Sequence, residues 1–320
     1  MKYEHIIKAV LEQPWAIMPE KLHAIETLLE FRAAGNRYTA EDIQAIVGAA
    51  SPKPATRVSG SVAVVPVYGV IHQRMDMMSE MSGGTSTEKL SATIKALVAD
   101  PAIGAIVLNV DSPGGGVYGV GELAAEILAA RDQKPIVAVA NSLAASAAYW
   151  LASAAGELVV TPGGEVGSVG VYAAHVDLSQ ALEQAGESWT LISAGKHKVD
   201  GNPLGPLSPE ARDYMQQRVD EYYGLFVSAV AKGRGTTPAA VRSGFGEGRM
   251  VGAQAALKAG MVDRVATLDE TIARLVGKSR SAAAARAEAP QELAAAEPSE
   301  TLLAEHELDL RRRRARALAG

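Results

Sequence analysis

The period of the apolar positions changes along the chain. Ile6, Ile7, Val10 and Leu11, then Leu22, Ile25, Leu28 and Leu29, recur at helical spacing. They predict that residues 1–58 form an amphipathic helical segment ending in a linker over Ala50–Ser59, where two prolines interrupt the pattern. From Val62 the pattern becomes strand and helix in alternation. Strands are predicted at Val62–Val70, Ile103–Val110, Pro135–Ala140, Leu158–Val160, Val169–Ala173 and Trp189–Ser193. Helices are predicted at Thr87–Val98, Val117–Ala130 and Leu178–Ala185, and the alanine-rich stretch Leu143–Ala155 reads as a buried helix. Strands joined by crossover helices predict an α/β domain, a mainly parallel sheet with helices packed against it.

Further on, Ser208 is placed to cap a long helix from Pro209 to about Lys232, with proline at its first position. A short helix Ala253–Ala259 ends at Gly260. From about Lys278 the chain turns to Ala, Glu and Arg and finishes in Arg311-Arg312-Arg313-Arg314-Ala315-Arg316. Residues 278–320 carry too few large apolar side chains for a core of their own and read as a disordered tail or a lone helix. The folded domain is therefore expected over 59–277.

Composition narrows the function classes. With 320 residues, 48% of them hydrophobic, the chain can bury a substantial core. The net charge of −5 gives no overall drive toward nucleic acid or anionic lipid. No cysteine is present, which removes disulfides, thiolate zinc sites and cysteine nucleophiles together. No apolar run reaches the roughly 18 residues of a membrane span, and the N-terminus lacks a signal-peptide core. No metal, cofactor, membrane or specific nucleic-acid partner is expected.

Two small-residue segments carry the candidate chemistry. Asn109-Val110-Asp111-Ser112-Pro113-Gly114-Gly115-Gly116 follows an apolar strand pattern, and glycines there let the backbone turn its N–H groups toward a developing negative charge. Ala144-Ala145-Ser146-Ala147-Ala148-Tyr149 offers a serine with no bulk around it. Taken singly, the glycines fit an ordinary turn and Ser146 fits close helix packing. A nucleophilic serine needs a base. His175 and His197 lie downstream of it, as do Lys196 and Lys198. In an extended segment both lysines would share one face, with His197 on the other. A lysine acts as a base only when neutral, so either one of them is buried beside Ser146 or a serine–lysine dyad is the wrong reading.

The ordered motifs Asn109–Gly115, Ala144–Trp150, Gly167-Ser168-Val169-Gly170-Val171 and Ser193-Ala194-Gly195-Lys196-His197-Lys198 resemble those of the signal peptide peptidase A family of serine–lysine proteases. The stretch Gly248–Asp263 resembles the closing segment that this family shares with Clp proteolytic subunits and crotonases. The resemblance spans about residues 60–276 and implies the ClpP/crotonase fold, with its repeated β-β-α units, and peptide-bond hydrolysis. It implies Ser146 as nucleophile, Lys198 as general base, and the N–H groups of Gly115 and Ala147 as oxyanion hole. With the helical N-terminal segment and the Ala/Glu/Arg-rich tail, it points to the phage branch, whose members process capsid and scaffold proteins within the host cytoplasm and the assembling prohead. A homo-oligomer is expected by the same resemblance. The competing readings are a Clp-like Ser-His-Asp peptidase using His175 with Asp177 or Asp200, a crotonase acting on acyl thioesters, and a non-catalytic scaffold or minor capsid protein.

Overall fold

The parallel strands are apolar on both faces because both faces of their sheet are covered. The computed structural model describes residues 14–23, 27, 55–74 and 84–288. The chain divides into the units Met1–Gly277 and Lys278–Gly320.

In chain order the strands are β1 (Trp15–Ile17), β2 (Arg57–Ser59), β3 (Val62–Tyr68), β4 (Ile71–His72), β5 (Thr85–Ser86), β6 (Ala105–Ser112) and β7 (Gly114–Gly116). They continue with β8 (Ile136–Ala145), β9 (Glu157–Val160), β10 (Glu165–Gly167), β11 (Met250–Gly252) and β12 (Arg264–Val265). The helices are α1 (Thr87–Ala99), α2 (Val120–Ala130), α3 (Ala147–Ser153), α4 (Ser179–Gln184), α5 (Pro209–Arg234), α6 (Pro238–Gly244), α7 (Ala253–Lys258) and α8 (Leu268–Glu288).

The larger sheet is built on parallel neighbours β3, β6, β8 and β9, closed by antiparallel β2 at one edge and β11 at the other. Strand β8 is long enough to serve two partners in turn: Val137–Ala140 pairs with β9, and Leu143–Ala145 with β10. Alternation along the strands sorts the side chains. Val65, Ile106, Leu108, Ile136 and Ala138 join α2, α3 and α5 in the main core. Val64, Val107, Val137 and Val139 face Ile272 and Leu275 of α8. A strand buried on both faces must read as a continuous apolar run, and these do. Trp150 of α3 stacks on Phe226 of α5 with ring centroids 4.7 Å apart, fixing the helix that follows Ser146.

The second sheet, in the order β1-β7-β4-β5, was not anticipated. Residues 15–17 belong to the region read as helical; they form a strand, and the domain draws on residues well before position 59. Pro14 and Pro19 bracket the short apolar run Trp15–Met18, and pairing with the glycine strand overrides the surrounding helical period. Residues 19–23, including Leu22, are helical; Ile6, Ile7, Val10, Leu11, Ile25, Leu28 and Leu29 lie outside the described residues. Part of the predicted linker is strand β2.

Two predicted strands are absent. Gly167 (φ 121°) and Ser168 (φ 53°) turn the chain out of the sheet, so Val169–Ala173 makes only the bridge from Tyr172 to Trp15. Trp189–Ser193 has no strand partner among the described residues and is exposed. The caps are as expected: Ser208 accepts the Ala211 N–H at 3.1 Å, and Pro209 opens α5.

The closing segment is tied to α5 by a charge pair. Arg234, with its side chain 6% exposed, donates two 2.7 Å hydrogen bonds to Asp263, which also accepts the Leu158 N–H at 2.7 Å. Burial raises the Asp263 pKa, but the Arg234 and Leu158 bonds outweigh it and hold the carboxyl below the usual carboxylate value. A depressed folded pKa contributes stability above the unfolded value of about 3.9, and that stability is lost as pH falls through the folded value. Asp263→Asn strands the Arg234 charge. It is expected to cost about 2–4 kcal/mol, discounted for the partial exposure of Asp263. Urea unfolding at pH 7 measures the loss, and the gap from the parent should narrow below about pH 4.

Candidate active site

Strand β8 ends at Ala145 and helix α3 begins at Ala147, which leaves Ser146 alone at the junction. Its backbone sits at φ 54°, ψ −118°, a region that costs a non-glycine residue roughly 1–3 kcal/mol. Two hydrogen bonds hold it there, from Ser146 N–H to Gly167 O at 2.7 Å and from Trp150 N–H to Ser146 O at 2.9 Å. The residue is 1% exposed, and its hydroxyl lies 3.5 Å from the Gly170 carbonyl oxygen. Helix α3 is pinned below by Tyr149, which is fully buried and donates to Met261 O at 2.9 Å; burial pushes its phenol pKa upward.

Beside the serine runs the glycine strand β7. Ser112, fully buried, donates to Gly69 O at 2.6 Å and accepts the Gly114 N–H at 3.2 Å, so its hydroxyl staples the turn between β6 and β7. Nothing but glycine fits here. A Cβ on Gly114 (φ 99°) would lie 2.2 Å from Ala16 O and 3.0 Å from Ser146 Cβ, and one on Gly115 would lie 1.9 Å from Ile71 O. The approach of β7 to the serine thus depends on bare backbone. Ala147, the first residue of α3, is fully buried beside Ser146, and its N–H belongs to the first turn of the helix, whose donors lack intrahelical acceptors.

The candidate bases stand apart from this cluster. The segment carrying Lys196, His197 and Lys198 is a series of turns, with Lys198 N–H bonded to Gly195 O at 3.1 Å, so the two lysines do not share a strand face. Neither lysine is buried beside Ser146: both are exposed, because residues 188–198 lie on the surface of the single chain. Lys196 pairs with Glu210 at 2.7 Å, and that carboxylate raises the lysine's pKa, the wrong direction for a base. Among the described residues the Lys198 side chain has no such ion pair.

The histidine alternative fares no better. His175 Nε2 faces Gly205 O at 3.3 Å, while Asp177 accepts from the Ser179 N–H at 2.9 Å. Asp200 is taken by His197 at 2.8 Å. Among the described residues no group of His, Asp and Glu is arranged to hold a metal, and no helix is long and apolar enough to cross a membrane.

Ser112, the Gly170 carbonyl and strand β1 also shape the site, and none of them stands out in the sequence. A serine two residues before the glycine run was the available signal for the first; the others are backbone roles that no residue type announces.

Comparison with known proteins gives a consistent picture. Residues 129–280 match the description of Peptidase family S49. The chain is 33% identical over 284 residues to the head-tail preconnector protein of Enterobacteria phage P21, covering 84% of this chain and 56% of that protein. It is 36% identical over 223 residues to the capsid assembly protease C of Escherichia phage lambda, covering 68% of this chain and 49% of that protein. It is 31% identical over 193 residues to a Synechocystis protein named for an inferred protease activity, covering 60% of this chain and 69% of that protein. The chain spans about half the length of the two phage relatives.

Proposed function

From the chain's membership of Peptidase family S49, we propose that it is a serine endopeptidase of the ClpP/crotonase fold that cleaves capsid and scaffold proteins in a phage prohead. The observation that carries the reading is Ser146, held at a positive φ between β8 and α3 against the bare backbone of β7. The parallel strands β3, β6, β8 and β9, with helices on the face beside the serine, support the fold.

In this mechanism neutral Lys198 takes the Ser146 Oγ proton as the oxygen attacks the scissile carbonyl. The N–H groups of Gly115 and Ala147 receive the negative charge on the carbonyl oxygen. The protonated lysine then gives its proton to the leaving amine. Water, deprotonated by the same lysine, next attacks the serine ester, and the lysine returns that proton to Ser146 Oγ as the second product leaves.

Lys198 is exposed in the single chain, so a neighbouring subunit is the partner that would bring it to a Ser146. Trp189 (59% exposed), Leu191 (46%) and Ile192 (97%) stand uncovered near it in sequence, and large apolar side chains so exposed mark a surface that another subunit covers. A homo-oligomer in which this segment inserts into a neighbour's site would bury the lysine and complete the dyad. Lys196, held by Glu210, would remain outside.

Incubation of the purified chain with a neighbouring capsid or scaffold protein, read by mass spectrometry, tests the proposal. Ser146→Ala is expected to abolish cleavage, and His175→Ala to leave it near normal. Full processing by Ser146→Ala would sink the serine mechanism and leave the non-catalytic scaffold reading standing.

A further inference from the structure

Strand β1 occupies the edge of the glycine strand β7, beside Ser146. It runs antiparallel to β7 with Trp15 opposite Gly116, Ala16 opposite Gly115 and Ile17 opposite Gly114. The bonds on either side set the phase of the ladder: Val117 N–H to Pro14 O at 3.4 Å, and Met18 N–H to Pro113 O at 3.0 Å. Bonded pairs in an antiparallel ladder recur every second residue, so Ala16 and Gly115 are the pair between them whose N–H and C=O groups face each other. The Gly115 N–H therefore meets the Ala16 carbonyl. That carbonyl borders the same glycine, Gly114, that borders Ser146 Cβ.

The other edge is equally occupied. Trp15 N–H donates to Tyr172 O at 2.8 Å, and Tyr172 N–H returns to Trp15 O at 3.0 Å. The strand is thus clamped between β7 and the segment after Gly170, the residue whose carbonyl faces the Ser146 hydroxyl. Trp15 and Ile17 pack with Leu22, Val70 and Tyr172 on one side, Trp15 standing edge-on to His72 at 5.9 Å. Ala16, fully buried, points the other way into the closely packed main core.

We propose that residues 14–18 are a built-in ligand of the substrate groove, seated in the register of a substrate with Ala16 at the position whose carbonyl Ser146 attacks. This rests on the serine peptidase reading above. External substrates then bind by displacing this strand as an added β-strand, and the groove takes extended segments with a small residue at the Ala16 position between larger apolar ones.

The test reads groove access on the full chain. A fluorophosphonate probe labels Ser146, and mass spectrometry follows its rate in the parent and in Trp15→Ala/Ile17→Ala. Since labelling scales with the open fraction of the groove, the variant is expected to label about tenfold faster or more. A peptide of sequence EQPWAIMPE, residues 12–20, added in excess should slow it again. Equal rates in two folded proteins, or no effect of the peptide, would overturn the built-in ligand while leaving the serine mechanism intact. Failure of Ser146 to label in either form would instead count against the serine reading. Hydrogen exchange on the unaltered chain then decides the strand: protection of the Ala16 and Gly115 amides supports its seating, and free exchange overturns it.

Discussion

Ser146→Ala and Lys198→Ala chains, each inactive alone, are expected to regain peptidase activity when they are co-expressed. Alone, either substitution removes a member of the dyad and should lower kcat by on the order of 10⁴-fold or more. The single chain leaves Lys198 exposed on a surface segment while Ser146 is 1% exposed. If a neighbour supplies the lysine through a head-to-tail interface, a mixed assembly contains sites that pair an intact Ser146 with an intact Lys198. At equal expression about a quarter of sites are intact, because each partner is intact half the time. A dyad formed within one chain predicts no recovery, since no chain then holds both residues. Steady-state cleavage of a peptide substrate by the co-purified assembly separates the two outcomes. Lys196→Ala is the control: its ammonium is engaged by Glu210, and its loss should leave activity nearly unchanged.

The legible part of the fold was the part whose burial is periodic. Strands β3, β6, β8 and β9 carry apolar residues on both faces, so runs such as Ile103–Val110 announce themselves from the sequence alone. The cap of α5 was legible too, because Ser208 and Pro209 are residue types with a fixed mechanism at a helix start. What escaped were elements made by pairing. Trp15–Ile17 is three residues long, and a strand of that length exists only because β7 and Tyr172 accept its backbone. Trp189–Ser193 fails in the opposite way: its residues favour a strand, yet no edge among the described residues pairs with it.

At the site, Ser146 and the glycines stood out because small residues in a row are rare signals. Their neighbours did not, because the contacts that shape the groove are carbonyls and amides. The position of Lys198 was beyond reach for a different reason. A pKa-lowering burial is a property of the assembled environment, and the spacing of two lysines in a turn says nothing of what later covers them.

Gly115→Ala should be nearly as damaging as loss of the serine. The added Cβ would stand 1.9 Å from the Ile71 carbonyl oxygen, and backbone on a paired strand cannot yield as a flexible side chain would. Either β4 separates from β7 or β7 shifts toward Ser146, and in both cases the Gly115 N–H leaves its aim. Removing one oxyanion donor typically costs on the order of 10²–10³ in kcat, and the strained pairing is expected to cost about 1–3 kcal/mol of stability besides. Kinetics and urea unfolding on the same preparations separate the two effects: a folded Gly115→Ala protein with unchanged kcat would show that Gly115 does not stabilise the reaction's negative charge. If kcat falls while KM stays near the parent value, the lost interaction is one made only in the transition state, as an oxyanion donor requires.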